Sequence, residues 1–445
     1  MSSAASDRLH VAIIGAGITG VNLALGLQAR DVSYTIYERT SAFREIGAGI
    51  GFSPNAERAM GLLNPDVLAA FKRVANPNGE DYFQWVNGHG GSWGSAEPLF
   101  KLHVGKDGFQ GGRRSDILDE WTTLLPPSVV QFGKELNDIT EPDSSSDKVI
   151  LRFTDGTTAL ADAVIGCDGI HSRVRQLILR PHLPPTEPEP IKLPPSAYPG
   201  YTQKFCFRAL APMSDAIAAI GERNSTTRFM YIGPGKHIIT YPVANNTLLN
   251  ILVVMSDSSP VWPHTNLPGL TKIGAVEAFM TWHPTVRKII DLLVEEELSP
   301  WGIFDMAENP APYYARGQVC VAGDAAHATG PHLGAGAGMG VEDALVLAGL
   351  FAEVDRRARA REGEEGLVER ALRVYNAVRY ERTQEVVQST RAACDLFHQR
   401  GHPDTERFGR EITVRFHKIW EYGVDRMVED ALGRLDDPDV IGDSS

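Results

Sequence analysis

The residues of greatest chemical consequence stand in two glycine-rich runs near opposite ends of the chain. The first is VAIIGAGITG, residues 11–20; the second is GDAAHATGPHLGAGAGMGVEDA, residues 323–344. In the first, an apolar strand runs into Gly15, Gly17 and Gly20, and Glu38 follows 18 residues after the last glycine. Gly15 suits a tight turn. Gly17 admits a pyrophosphate to the backbone, Gly20 lets helix and strand approach, and Glu38 can accept ribose hydroxyls, with Arg39 beside it. Unpaired N–H groups at the helix start suit the anion. Alone, this pattern fits NAD, NADP or FAD. In the second run Asp324 follows an apolar strand, where a carboxylate can receive a ribityl hydroxyl. Gly334, Gly336 and Gly338 leave room for a flat ring, with Ala337 among them a further cofactor-binding candidate, and the helix there aims its positive end at a reducible ring oxygen. Capping is the plain alternative for Asp324, and local packing is the reading for His327. Together the runs describe one long dinucleotide held by two distant parts of the chain.

Further candidates lie between them. Gly49 belongs to a third glycine-rich stretch, IGAGIGFSPNAERAM, residues 46–60, and Arg114 opens the helical pattern RRSDILDEWTTLL, residues 113–125. One of Arg113 and Arg114 can reach the cofactor while the other is solvated. Asp168 ends an apolar strand in CDGIHSRVR, residues 167–175, where Arg175 offers a local guanidinium brace. In KFCFRAL, residues 204–210, a two-residue period puts Lys204, Cys206 and Arg208 on one side and Phe205 and Phe207 on the other. An arginine in such a strand needs a partner or a wet cavity. His237, Ile239 and Tyr241 share a face of a later strand, so Arg208 and Tyr241 can converge if the sheet closes over a cofactor. From the residues alone, a buried Arg–Tyr structural network is the favoured alternative.

The elements that must position these groups follow from periodicity. His10–Ile14 and Tyr34–Tyr37 read as strands around a helix at Ile18–Ala29, with Asp31 where a tight turn often takes glycine. Val149–Phe153 and Ala161–Ile165 read as strands about Asp155-Gly156. QKFCFRAL, TTRFMYIG, KHIITYPV and LLNILVVM, within residues 201–255, read as a largely antiparallel sheet. Helical patterns cover 271–296, 341–356, 365–384, about 386–399 and much of 405–433. Seven prolines in residues 181–196 mark a crossing between domains. The expected fold is α/β: a Rossmann-like FAD-binding domain, an inserted mostly antiparallel β-sheet domain and C-terminal helices. The expected division is 1–79, 108–190 and 301–360 for the cofactor domain, 80–107 and 191–300 for the substrate domain, and 361–445 for the helical region.

A chain of 445 residues exceeds what one core normally serves. Its formal net charge of −13 argues against nucleic acid as partner. The four cysteines form no close pair and read as buried thiols rather than a disulfide framework. No run reaches transmembrane length and the N-terminus lacks a signal core, so a cytoplasmic protein is expected, monomeric or homodimeric. No metal site is expected.

In order and content these motifs resemble the single-component flavoprotein aromatic hydroxylases related to para-hydroxybenzoate and salicylate hydroxylases. GAGITG, CDGIHSRVR and GDAAHATGPHLGAGAG are similar to that family's first FAD fingerprint, its middle Asp-Gly motif and its second FAD fingerprint; Arg114 matches its FAD-contacting arginine. KFCFRAL, HIITYPVANNT, PAPYYARGQVCVAGDAAHA and HKIWEYG more closely resemble fungal enzymes that dearomatise polyketide phenols in tropolone, sorbicillinoid and azaphilone pathways. The resemblance implies FAD, NADPH or NADH as transient reductant, molecular oxygen and a small phenolic substrate. It implies hydroxylation with dearomatisation of a resorcinol- or orcinol-type ring through a C4a-hydroperoxyflavin. Arg208 and Tyr241 match the pair that holds the phenolate, with His237 as a further substrate contact. The alternatives are a salicylate-like decarboxylative hydroxylase, an epoxidase or reductase, and a non-catalytic FAD-stabilised interaction protein.

Overall fold

The computed structural model describes residues 8–43, 48–89, 98–105, 108–140, 148–181, 192–262, 271–294, 298–360, 366–399 and 404–437. The run 44–47 that opens the third glycine-rich stretch, and most of the proline-rich crossing, lie outside them.

Strand His10–Ile14 is at the centre of a six-stranded sheet, flanked by parallel strands Ser33–Glu38 and Ala163–Gly166; Val130–Phe132 and Val319–Val321 continue the sheet outward. Buried on both faces, His10–Ile14, Ala163–Gly166 and Val319–Val321 read as near-continuous apolar runs, as central parallel strands do, whereas Val130–Phe132 at the edge is largely exposed. Their carboxyl ends lead directly into Gly15, Glu38, Cys167-Asp168 and Ala322-Asp324. Ligands bind at such strand ends in open parallel sheets, so the topology gathers distant motifs on one rim. Helix Ile18–Gln28 crosses helix Gly336–Ala360 so closely that a Cβ at Gly340 would sit 2.2 Å from Thr19 Oγ1. Asp31 does adopt left-handed backbone, at φ 55°, with its carboxylate on Arg8 and Arg359 (both 3.1 Å). Asp is among the few non-glycine residues that tolerate this region.

The second sheet has seven strands in the order Trp301–Asp305, Gly200–Pro212, Leu248–Ser256, Lys236–Val243, Phe229–Gly233, Tyr82–Asn87 and Pro98–His103. Only the pair Phe229–Gly233 with Tyr82–Asn87 is parallel. Its outer face carries Phe205, Phe207, Ile238, Ile251 and Val253, packed on helices Met213–Ile220, Lys272–Phe279 and Pro284–Asp291. Its inner face meets the cofactor domain and the C-terminal helices. The expected fold class therefore holds: a Rossmann-like domain, a mostly antiparallel sheet and terminal helices. One difference is local. The two helices expected at 365–384 and 386–399 are a single helix, Leu367–Phe397. No glycine or proline interrupts that run, so nothing breaks the hydrogen-bond ladder.

Candidate active site

The first glycine turn is built by sterics. Gly15 has φ 103°, and a Cβ there would meet Cys167 O at 2.5 Å; a Cβ at Gly20 would meet Gly15 O at 2.0 Å. Gly17 behaves oppositely, since nothing lies within 4 Å of its Cβ position. It also caps helix Ile18–Gln28 with no side chain, and the first helical turn holds no acidic residue. The N–H groups and positive dipole end therefore face open space, as a pyrophosphate requires. Glu38 Oε2 accepts from Ala16 N (2.8 Å), while Oε1 accepts from Thr40 N and Oγ1 (both 2.9 Å). Oε2 keeps one lone-pair direction for a ribose hydroxyl. Arg39 beside it is exposed.

Asp324 begins the short helix Asp324–His327 at the end of its strand, and is exposed. Its Oδ1 lies 3.9 Å from the Cβ position of Gly336, so the carboxylate and the start of helix Gly336–Ala360 share one corner. That helix also has no acid in its first turn, and half-buried Ala337 packs beside the core. Gly334 is left-handed (φ 62°), and its Cβ position abuts the Phe109 ring at 2.8 Å. Arg113 is tied to Asp116 (2.7 Å), whereas Arg114 is half-buried and its N–H donates to Ala48 O (2.9 Å). Strand Gly49–Phe52 is thereby held against Gln110–Arg113.

Asp168 does not brace Arg175. Its carboxylate accepts from Ser172 Oγ (2.6 Å), Arg173 N (2.7 Å) and Val174 N (3.1 Å), starting helix Arg173–Ile178. Arg175 is fully buried and donates to the carbonyls of Ala325, Ile170 and Ala197. Burial pulls its guanidinium down to about 10, against the pull of Asp168 and Asp324. The pair thus secures two cofactor segments separately, through backbone rather than through each other.

Beneath the second fingerprint lies a charge cluster that sequence reading missed. Arg379 bonds Glu342 and Asp343 (2.7 Å each), and His327 Nε2 bonds Asp343 (2.6 Å), all fully buried. Burial alone would raise the Asp343 carboxyl. His327, Arg379 and the Gly323 N–H outweigh it and hold the group well below the usual carboxylate range. Asp343 also accepts from Gly323 N (2.8 Å), so the network fixes the turn that presents Asp324.

On the inner face of the seven-stranded sheet, register places three rows: Cys206–Val254–His237–Ile232, Arg208–Leu252–Ile239–Met230, and Leu210–Asn250–Tyr241. Successive rows are about 7 Å apart. Arg208 and Tyr241 stand two strands and one row apart, ~12 Å between backbones, which two long side chains can close. His237 is two rows from Tyr241, ~13 Å along the strand, too far to share one oxygen with it. Arg208 is exposed, with its guanidinium 5.4 Å from the Trp301 ring centroid. Tyr241 is 9% exposed and wedged between glycines: its Oη is 2.7 Å from the Cβ position of Gly49 and its ring 3.1 Å from that of Gly111. Burial pushes its phenol up to about 12, although Arg228 and Arg208 pull downward. It is therefore a neutral donor. Asn250 Oδ1 accepts from Gly49 N (2.9 Å), locking sheet to cofactor domain.

Arg228 and Asn250 were not foreseen. Arg228 is buried with its guanidinium 4.0 Å over Phe109 and 5.0 Å over Tyr241. Burial lowers it to about 10, with Tyr241 opposing. Neither Arg208 nor Arg228 forms an ion pair among the described residues. The signal that singled out Arg208, a polar residue inside an apolar strand, is present in TTRFMYIG and LLNILVVM as well.

A family described as FAD-binding domain matches residues 8–183 and 284–390. The chain belongs to the FAD-dependent monooxygenases. It is 46% identical to the FAD-dependent monooxygenase pigN of Monascus ruber, over 96% of this chain and 98% of that one. It is 44% identical to the FAD-dependent monooxygenase orf3 of Aspergillus niger, over 96% of each. Among solved structures, a salicylate hydroxylase substrate complex superposes with TM-score 0.79 at 28% identity, covering 96% of this chain and 98% of that one. The ambiguity of the first glycine turn is thus resolved in favour of FAD. This monooxygenase has no helix among its described residues long and apolar enough to cross a membrane.

Proposed function

We propose that this monooxygenase hydroxylates a substituted resorcinol- or orcinol-type polyketide phenol at an alkylated ring carbon ortho to a phenolic oxygen, leaving a dearomatised alcohol. The observation carrying this reading is the inner sheet face: Arg228 beside a tyrosine held neutral, and Arg208 two strands and one row away, neither arginine with an ion-pair partner among the described residues. That set suits an anionic aromatic oxygen. Arg208 opposes its charge, and the Tyr241 hydroxyl donates to it, so the phenolate is favoured over the phenol. A phenolate concentrates electron density at its ortho and para carbons, which an electrophilic oxygen attacks. An alkyl group at the attacked carbon leaves no proton to lose, and the ring cannot rearomatise.

Gly15, Gly17, Gly20, Glu38, Arg39, Gly49, Arg114, Asp168, Asp324, Gly334, Gly336 and Ala337 are our candidates for holding FAD. Bound FAD supplies hydride acceptance and oxygen activation. The protein orients the ring, excludes water and holds the substrate's charge. NADPH, or NADH in its place, is the transient reductant, and the cytoplasm supplies it. His237 stands at the far end of the face, buried and bonded through Nδ1 to His398 (2.8 Å), and takes no part in holding the phenolate. The names of pigN and orf3 state FAD-dependent monooxygenase activity, and the likeness to both supports the reaction class.

The salicylate hydroxylase likeness favours a second reading, in which the attacked carbon bears a carboxylate and carbon dioxide leaves. One experiment separates the two. The chain is incubated with FAD, each nicotinamide, oxygen-18 gas and a panel of alkylated resorcylaldehydes and salicylates. Our reading expects one atmospheric oxygen and a new carbon bearing both methyl and hydroxyl. Loss of carbon dioxide with aromatic signals retained selects the second, and products without atmospheric oxygen overturn both.

A further inference from the structure

Beyond the phenolate end of the sheet, three buried side chains from three different elements meet. His237 comes from strand Lys236–Val243, His332 from the turn Pro331–Leu333 just before Gly334, and Cys394 from helix Leu367–Phe397. One donor atom of each lies within 4.8 Å of the others, and the residues are 1%, 6% and 1% exposed. Two histidines and a cysteine without a carboxylate are the donor set of borderline-soft cations. A tetrahedral zinc site spaces its donors by about 3.3–3.7 Å, so closure needs ~1 Å of side-chain movement.

Two independent features point to a ligand. His332 Nδ1 is buried with no hydrogen-bond partner among the described residues, a costly state for a polar atom. The outward side of His237 is braced in the manner of a metal-bound imidazole. Its Nδ1 bonds His398 Nε2 (2.8 Å), and His398 Nδ1 bonds Ser256 Oγ (3.0 Å). When His237 Nδ1–H donates along this chain, His398 passes its own N–H to Ser256, and His237 Nε2 keeps a bare lone pair. A fixed tautomer of this kind is what an outer partner gives a ligating histidine. Lys204, whose charge reaches the cluster, is offset by Asp395 (3.1 Å).

We propose that His237, His332 and Cys394 form a binding site for a thiophilic divalent cation of the zinc type, with His398 orienting His237 and a fourth position open to water. Burial, then neighbouring charge, holds both ligand histidines below the ordinary imidazole range, so they are neutral donors. Burial pushes the Cys394 thiol up, so the cation displaces its proton on binding. An ion there ties the substrate sheet, the turn before Gly334 and the C-terminal helices together.

The test uses the full FAD-loaded chain, stripped of metals by chelator, exposed to limiting Zn²⁺, desalted and analysed for zinc per chain without substrate. Wild type should retain one zinc. Cys394→Ser and His332→Ala should each weaken retention at least tenfold against a competing chelator, while Cys167→Ser, a buried thiol elsewhere, should not. If either variant fails to fold, wild type loaded with Co²⁺ is read instead, where a sulfur-to-cobalt absorption band is expected in the difference spectrum. Wild type without retained zinc, retention unchanged in both variants, or cobalt without the sulfur band overturns the site. Because no turnover is read, these outcomes leave the hydroxylase reading untouched.

Discussion

At the ends of its parallel strands the chain offers a cofactor mainly backbone; on the inner face of the seven-stranded sheet it offers side chains. The strand-end rim is shaped by positions where a Cβ has no room, such as Gly20, and by one, Gly17, where no atom of the described residues lies within 4 Å of it. The sheet face is shaped by Arg208, Tyr241, Arg228 and Asn250, brought into neighbouring rows by register. The first design tolerates almost no change in residue size and serves any dinucleotide of the right shape. The second is free to vary at exposed Arg208, whereas Asn250 and Tyr241 are themselves seated on Gly49. On the proposed assignment, cofactor and substrate are recognised by parts of the molecule with different freedom to vary.

The sharpest way to break this contrast is inside one glycine turn. Gly20→Ala places a methyl 2.0 Å from a backbone oxygen. Neither backbone segment can yield cheaply, so a destabilisation of ~3 kcal/mol or more is expected, with flavin lost. Gly17→Ala meets no protein atom. It should melt close to wild type in the flavin-free state yet hold FAD about tenfold or more weakly, since the methyl occupies the pyrophosphate's approach. Thermal melts with and without FAD, paired with flavin titration, read both. Equal melting of the two flavin-free variants would show that space at the turn does not govern the fold.

The same contrast explains what was legible in the sequence. Gly15, Gly17, Gly20 and Glu38 are spaced by local backbone geometry, so linear spacing reveals them. Arg208 announced itself as a charge in an apolar strand, and the period of two assigned its face correctly, with Phe205 and Phe207 opposite. Arg228 and Asn250 carried the same mark, but their closeness to Tyr241 and Gly49 depends on which strands neighbour which, and no local pattern encodes that. The Arg379–Glu342–Asp343 cluster joins two helices whose crossing follows only from the assembled sheet. The Asp168–Arg175 brace failed for a related reason: nearer backbone donors and acceptors satisfied both groups first.

On the sheet face the largest effect should come from Arg208→Gln. Removing full charge from beside an anionic oxygen should cost about 10²–10³-fold in product formation, with FAD content unchanged. Product per nicotinamide oxidised is the measurement. Wild-type yield in this variant would remove Arg208 from the mechanism and transfer the charge role to Arg228.

Tyr241→Phe deletes a single hydrogen bond to that oxygen, and ~10–100-fold is expected. Its pH behaviour sharpens the assignment. A phenol raised to about 12 stays protonated while pH climbs through the ionisation of an ordinary phenolic substrate. The rate should therefore rise with substrate ionisation and show no alkaline fall below pH ~11 from this residue. Phenylalanine should lower the plateau without moving the rising limb. A falling limb near pH 10 that disappears in Tyr241→Phe would mean that the tyrosine acts as an acid that becomes depleted.

Asp324 tests the comparison from the other side, because it is a side chain working on the backbone rim. Its carboxylate is exposed, next to the start of helix Gly336–Ala360, and no hydrogen bond from a described residue reaches it. Truncation should leave the fold intact, because Gly323 and His327 remain anchored on Asp343. What is lost is one hydrogen bond from a ribityl hydroxyl to a solvent-exposed carboxylate, worth about 0.5–1.5 kcal/mol. Asp324→Ala should accordingly weaken FAD retention by only ~3–10-fold and leave the hydroxylated carbon unchanged. Flavin occupancy after dilution and product distribution at saturating FAD are measured separately. Unchanged occupancy together with a new hydroxylation site would place Asp324 with the substrate instead, and the division between a backbone rim for cofactor and a side-chain face for substrate would no longer hold.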